Sequence, residues 1–129
     1  MPKLIYIVED DQDISFIVEY ILIEEGYLVN TFKTARAFNT QMKLNWPDLI
    51  LLDVMLPDGN GIEICHSLKT AATTTHIPVV IMSAHAAETA ILEEACADDF
   101  ISKPFDLEHL IQIIKNTLSK VTSSGDSRQ

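Results

Sequence analysis

Four separated places in the chain carry residues that could do chemistry together. Glu9, Asp10 and Asp11 stand in a row, Asp53 follows the apolar run Leu49 to Leu52, Ser83 follows Val79 to Met82, and Lys103 precedes Pro104. Carboxylates gathered at one rim repel. Two unit charges about 4 Å apart cost on the order of 4 kcal/mol at an effective dielectric near 20, enough to raise a pKa unless a cation intervenes. A divalent ion relieves that repulsion. Oxygen-only ligands with few protein groups suit Mg²⁺, which keeps several waters and commonly uses carboxylates plus a substrate phosphate. Lys103 adds a point positive charge for a carboxylate or phosphoryl oxygen, and the Ser83 hydroxyl can donate to the same oxygens. These parts together describe a carboxylate that accepts a phosphoryl group while metal, lysine and hydroxyl stabilise the transferred oxygens.

For that to happen the four places must share one edge of a fold. Short apolar runs at Leu4 to Val8, Tyr27 to Phe32, Leu49 to Leu52, Val79 to Met82 and Phe100 to Ile101 predict five strands. Helical patterns fill the gaps at 12–25, 34–44, 61–71, 86–95 and 106–119, with Gly26 closing the first and Asp106 capping the last. In the last, Leu107, Leu110, Ile111, Ile114 and Leu118 make a stripe that buries one face on a sheet. Nearly all-apolar strands alternating with helices predict an α/β doubly wound domain with a parallel sheet covered on both faces. In such sheets ligands sit beyond the carboxyl ends of the strands, where these acids, Ser83 and Lys103 fall.

Composition sets the outer limits. The chain has 129 residues, 47% hydrophobic, with 4 Gly and 5 Pro, which fits one packed domain and no disordered or collagen-like class. Residues 1–120 are read as the domain and 121–129 as a disordered polar tail. Nineteen acidic residues against 9 basic give a formal charge of −10, which opposes direct contact with nucleic acid because no counterion release would drive it. No run approaches 18 apolar residues without a charge, so neither a signal peptide nor a membrane span is expected. Cys65 and Cys96 lack metal-site spacing, and a reduced cytoplasmic protein fits them best.

Each signal alone has a plainer reading. Acids after a strand commonly serve the positive end of a helix, and a lone Lys-Pro is commonly a turn. His66, His76 and His109 read as exposed polar positions, Cys65 as a small apolar residue, and Trp46 as a partly buried loop aromatic. The first helix carries Ile14, Ile17, Val18, Ile21 and Leu22 on one face and Phe16, Tyr20 and Ile23 nearly opposite. The second stripe is expected to pack on the last helix, the other reading being an exposed patch for a partner.

Taken together, IVEDD at 7–11, LILLDVMLPDGNGIE at 49–63, IMSAHA at 81–86 and DDFISKPF at 98–105 resemble the receiver domain of two-component response regulators, over about residues 3–119. The resemblance implies a flavodoxin-like five-stranded sheet of order 2-1-3-4-5 with five helices. It implies that Asp53 is the phosphoacceptor, that Asp10 binds Mg²⁺ directly and Glu9 mostly through water, and that the Met55 backbone carbonyl is a further ligand, with Mn²⁺ able to substitute. Ser83 and Lys103 would contact the phosphoryl oxygens, the Lys103–Pro104 bond would be cis, and Phe100 would be the switch aromatic, rotating inward on phosphorylation. Met55 and His85, two residues beyond Asp53 and Ser83, would tune dephosphorylation.

The implied partners are a histidine kinase or histidine phosphotransfer protein and an unidentified downstream protein; a weak homodimer is compatible with both. The implied role is signalling rather than enzymatic turnover, limited to catalysis of its own phosphorylation and slow dephosphorylation. A phosphorylation-independent scaffold is one alternative, opposed by the intact acids, hydroxyl and lysine. An Asp-nucleophile phosphatase is another, opposed by Met55, which leaves no general acid two residues after Asp53. Three positions depart from the family pattern. Cys96 stands where a glycine is usual, the Ser83 to Cys96 segment is about two residues shorter than in common DNA-binding members, and Phe100 replaces a tyrosine.

Overall fold

The computed structural model describes residues 2–84 and 97–127. Its elements run β1 (Leu4–Val8), α1 (Gln12–Glu24), β2 (Leu28–Phe32), α2 (Ala35–Met42), β3 (Leu49–Asp53), the short pair β4 (Met55–Leu56) and β5 (Gly59–Asn60), α3 (Gly61–Thr70), β6 (Val79–Ser83), β7 (Asp99–Ser102) and α4 (Leu107–Ser127). The long strands form one parallel sheet in the order β2-β1-β3-β6-β7. Counting those five alone, this is the expected 2-1-3-4-5 doubly wound order. The helix expected at 86–95, with Cys96, lies outside the described residues.

Alternation along the strands builds two cores from one sheet, because successive side chains point to opposite faces. Tyr6, Val8, Ile50, Leu52, Val79, Ile81 and Phe100 face α2 and α3, where Phe38 and Cys65 are buried. Ile5, Ile7, Leu49, Leu51, Val80, Met82 and Ile101 face α1 and α4, meeting Val18, Leu22, Leu110, Ile113 and Ile114. Burying one such side chain contributes roughly 1.5–3 kcal/mol. On the first face the rings of Tyr6, Phe32 and Phe38 pack edge to face with centroids 5.0–6.4 Å apart.

The helix starts are fixed by local oxygen acceptors. Asp11 Oδ1 accepts from the Asp13 and Ile14 amides, Thr34 Oγ1 from Ala37, Asn60 Oδ1 from Ile62 and Asp106 Oδ1 from Glu108. Gly26 closes α1 with φ +96°, a left-handed turn that a side chain would strain. At the end of α3, the hydroxyls of Thr70, Thr74 and Thr75 donate to carbonyls of the helix, so it stops at Thr70 without a glycine.

Two expectations change. α4 continues to Ser127, so residues 121–127, expected as a disordered polar tail, are helical backbone; the stretch holds no proline, and serine and threonine do not by themselves end a helix. On α1, Phe16, Tyr20 and Ile23 do not pack on the last helix. They are exposed, Phe16 at 68%, because α1 turns Val18 and Leu22 to the sheet and the stripe half a turn away points to solvent. Just past the end of α1, Glu25 Oε1 lies 2.9 Å from Lys115 Nζ of α4. No helix among the described residues is long and apolar enough to cross a membrane.

Candidate functional site

The carboxyl ends of β1, β3, β6 and β7 carry the chemically unusual residues to one cavity of about 330 Å³, lined by Glu9, Asp10, Asp53, Met55, Ser83 and Lys103 among others. The strand tips are cross-tied by backbone bonds. Glu9 N–H donates to Phe32 O at 2.9 Å, Val54 N–H to Met82 O at 3.3 Å and Lys103 N–H to Ser83 O at 2.8 Å. Asp53 and Ser83 are themselves the last residues of β3 and β6, one step further into the sheet than the sequence reading placed them. Their side chains are therefore held by strand geometry rather than by loops.

The three adjacent acids divide their work. Asp11 caps α1, so for this residue the plain reading holds. Glu9 is almost fully enclosed at 1% exposure and Asp53 at 6%, whereas Asp10 is exposed. One carboxylate oxygen from each of Glu9, Asp10 and Asp53 lies within 4.8 Å of the other two, so these residues could hold a metal ion. Lys103 Nζ sits 2.5 Å from Glu9 Oε1 and 3.2 Å from Asp53 Oδ1, while Glu9 Oε2 accepts from Asp11 N–H at 3.1 Å. With all four groups ionised, three negative charges face one positive charge. The surplus is what a divalent, oxygen-seeking cation would neutralise.

Burial pushes the Glu9 carboxyl up to about 7, against the pull of the Lys103 hydrogen bond and the Asp11 amide, and the Asp53 charge adds to the rise. For Lys103, burial works to lower the ammonium, but the hydrogen bond to Glu9 and the charge of Asp53 outweigh it and hold the group above its ordinary value. Lysine therefore remains the fixed cation, and Glu9 is the acid whose charge depends on what enters the cavity.

The remaining expected residues are distributed unevenly. Met55 stands exposed at the cavity rim, and Ile14 and Val54 complete the wall beside it. The Lys103–Pro104 peptide is cis. Phe100 is 7% exposed and packed in the core on the α2 and α3 side. His85 lies outside the described residues.

One residue escaped the sequence reading. A Cβ on Gly61 would fall 2.1 Å from the Asp53 carbonyl oxygen and 2.9 Å from Val54 Cα, and its N–H donates to Val54 O at 2.7 Å. The start of α3 thus lies directly on the backbone of Asp53, an approach that only glycine permits. The signal was present as the second glycine of Asp58-Gly59-Asn60-Gly61, but turn chemistry alone explains such a run.

A family model of the response regulator receiver domain matches residues 5–115. The phosphate regulon transcriptional regulatory protein PhoB of Escherichia coli is 36% identical over 124 residues, covering 95% of this chain and 54% of that protein. Response regulator ArlR of Staphylococcus epidermidis is 38% identical over 117 residues, covering 90% and 52%. The chain thus spans about half the length of these curated relatives. Among solved structures, a CheY-like response regulator receiver domain protein from Methanospirillum hungatei superposes with a TM-score of 0.88 at 27% identity, covering 96% of this chain and 99% of that one.

Proposed function

The chain belongs to the response regulator receiver domain family, and from that premise we propose that Asp53 accepts a phosphoryl group from the phosphohistidine of a histidine kinase or histidine phosphotransfer protein. The observation that carries this reading is the gathering of three carboxylates within 4.8 Å, with Lys103 placed against two of them. In the transfer, an Asp53 carboxylate oxygen forms a bond to phosphorus as the phosphorus–nitrogen bond breaks. The imidazole leaves with that electron pair and takes up a proton. Hydrolysis later returns inorganic phosphate and the free carboxylate.

Mg²⁺, or Mn²⁺ in its place, would be held by Asp10, Asp53 and the Met55 carbonyl, and through water by Glu9, and would supply charge neutralisation to the transferred oxygens. Lys103 leaves its contact with Asp53 to pair with a phosphoryl oxygen, and Ser83 donates its hydroxyl to another. Met55 and His85 are the residues we assign to setting the lifetime of the adduct. The receiver unit is residues 1–120, working in the cytoplasm.

Output runs through protein contacts rather than DNA, in keeping with the formal charge of −10. On phosphorylation Ser83 is drawn toward the new oxygens and Phe100 rotates inward behind it, which alters the surface. The phosphodonor approaches the rim beside α1, whose Ile14, Ile17, Phe16 and Tyr20 offer it apolar contact.

The test is intact-mass spectrometry after exposure to acetyl phosphate. Wild type gains one phosphoryl group in Mg²⁺. Uptake by Asp53→Asn, or equal uptake by wild type in EDTA, would overturn the assignment.

A further inference from the structure

Asp58, at the tip of the β4–β5 hairpin, has both carboxylate oxygens engaged with another element. Oδ1 accepts from Ala35 N–H at 2.7 Å and Oδ2 from Arg36 N–H at 3.0 Å. These are the first two amides of α2, which no carbonyl within the helix can satisfy. The helix has its own local cap in Thr34, so Asp58 acts as a brace between distant segments rather than as a local start signal. Beside it, Gly59 packs so closely on α2 that a Cβ there would lie 3.2 Å from Ala35 Cβ. The Ala35 amide, and then that of Arg36, hold the Asp58 carboxyl below its ordinary value.

The other end of the hairpin reaches the acidic cavity. Met55 pairs with Asn60 and Leu56 with Gly59. Val54 and Met55, at the start of this loop, line the cavity directly after Asp53. Across the cavity, Glu9 is fastened to the same corner of the molecule, through its N–H to Phe32 O. Glu9 is thus tied to the last residue of β2, and the hairpin to the first residues of α2.

We propose that Asp58 is a positioning residue that sets the metal affinity of the site without touching the ion, by holding the loop from Val54 to Asn60 against the start of α2. The inference rests on the metal-dependent reading of the site given above. Residues that orient a metal's ligands typically change affinity by about 10- to 100-fold when removed. The low end applies here, because the loop supplies one backbone carbonyl beside carboxylates that stay in place.

Mg²⁺ binding by calorimetry on four proteins tests it. Asp58→Ala should bind about tenfold more weakly than wild type. Asp58→Asn, which keeps one acceptor oxygen, should recover part of that loss. Thr34→Ala removes the other cap of the same helix and should lower the melting temperature while leaving Mg²⁺ affinity unchanged. Asp58→Ala binding as tightly as wild type, or Thr34→Ala weakening binding as much as Asp58→Ala, would overturn the inference. If wild type itself takes up no Mg²⁺, the functional reading falls and this inference falls with it.

Discussion

At the amino ends of the strands, charges and polar groups meet their counterparts singly. Lys69 Nζ lies 2.9 Å from Asp98 Oδ2 and 3.1 Å from Ile77 O, and the same Asp98 oxygen accepts from Val79 N–H at 2.8 Å. Asp48 accepts from Leu4 N–H at 2.7 Å, and the Tyr6 hydroxyl donates to Asn45 Oδ1 at 2.8 Å. At the carboxyl ends of the same strands, Glu9 and Asp53 share one lysine, with the Asp10 carboxylate close to both acids. One end is balanced and holds the sheet together. The other is left with surplus negative charge, an arrangement that costs stability and becomes favourable only when a cation arrives.

The strongest way to break this contrast is to displace the unbalanced end bodily. Gly61→Ala would drive a methyl group into the Asp53 carbonyl, so a loss of about 3 kcal/mol or more in chemical denaturation is expected, with most of the acetyl phosphate uptake gone. A variant as stable and reactive as wild type would show that the α3 start yields without consequence.

Lys103→Ala removes the lysine that pairs with Glu9 and Asp53 at the unbalanced end. Metal-free protein should lose stability, while Mg²⁺ binds at least as tightly as to wild type because the ion no longer meets a competing positive charge. The response of a surface probe to beryllofluoride should be largely lost. Weakened Mg²⁺ binding with a normal surface response would reverse the roles assigned to the lysine.

A sharper comparison uses opposite signs. Asp53→Asn takes a repelling charge from the cavity and should raise metal-free stability by about 1 kcal/mol. Asp98→Ala takes a paired charge from the balanced end, leaves Val79 N–H without its acceptor and Lys69 without its ion-pair partner, and should lower stability by about 1 kcal/mol. Thermal melts of both in EDTA decide it, and shifts of the same sign would end the distinction between the two ends.

The smallest effect is graded with pH. The Glu9 carboxyl rises from 4.5 to about 7 on folding, so its protonated form stabilises the metal-free protein fully below 4.5, and that contribution is lost as pH climbs through 7. Metal-free stability should therefore fall between pH 4.5 and 7. Mg²⁺ affinity should run the other way, weakening by up to about tenfold per unit as pH drops below 7, because one proton competes with the ion. Asp58 does not blur this window. Its lowered carboxyl contributes stability present above its ordinary value of 3.8 and lost only as pH falls below it. A flat Mg²⁺ affinity from pH 6 to 8 would remove Glu9 from the site.

Much of this was legible in the chain because it is written in local patterns. The five strands announce themselves as short β-branched runs, and the acids, hydroxyl and lysine follow from where those runs stop. What could not be read depends on distances between segments far apart in sequence. Gly61 looks like one more turn residue until the Asp53 carbonyl is seen against it. Asp58 looks like turn chemistry until Ala35 and Arg36 are brought to it. The outward stripe of Phe16, Tyr20 and Ile23 was apolar enough to suggest a neighbour, and periodicity alone does not tell an unpartnered face from a packed one.

The backbone ties between strand tips, at Glu9, Val54 and Lys103, have a consequence for hydrogen exchange. Amides just past the ends of strands normally exchange with solvent through small local openings. Here each of these three is bonded to a residue of a neighbouring strand, so its exchange should slow toward the rate set by global unfolding of the sheet. The acids and the lysine then stand on a floor that opens only when the whole domain opens. Motions faster than unfolding are left to side chains and to the segments beyond these ties.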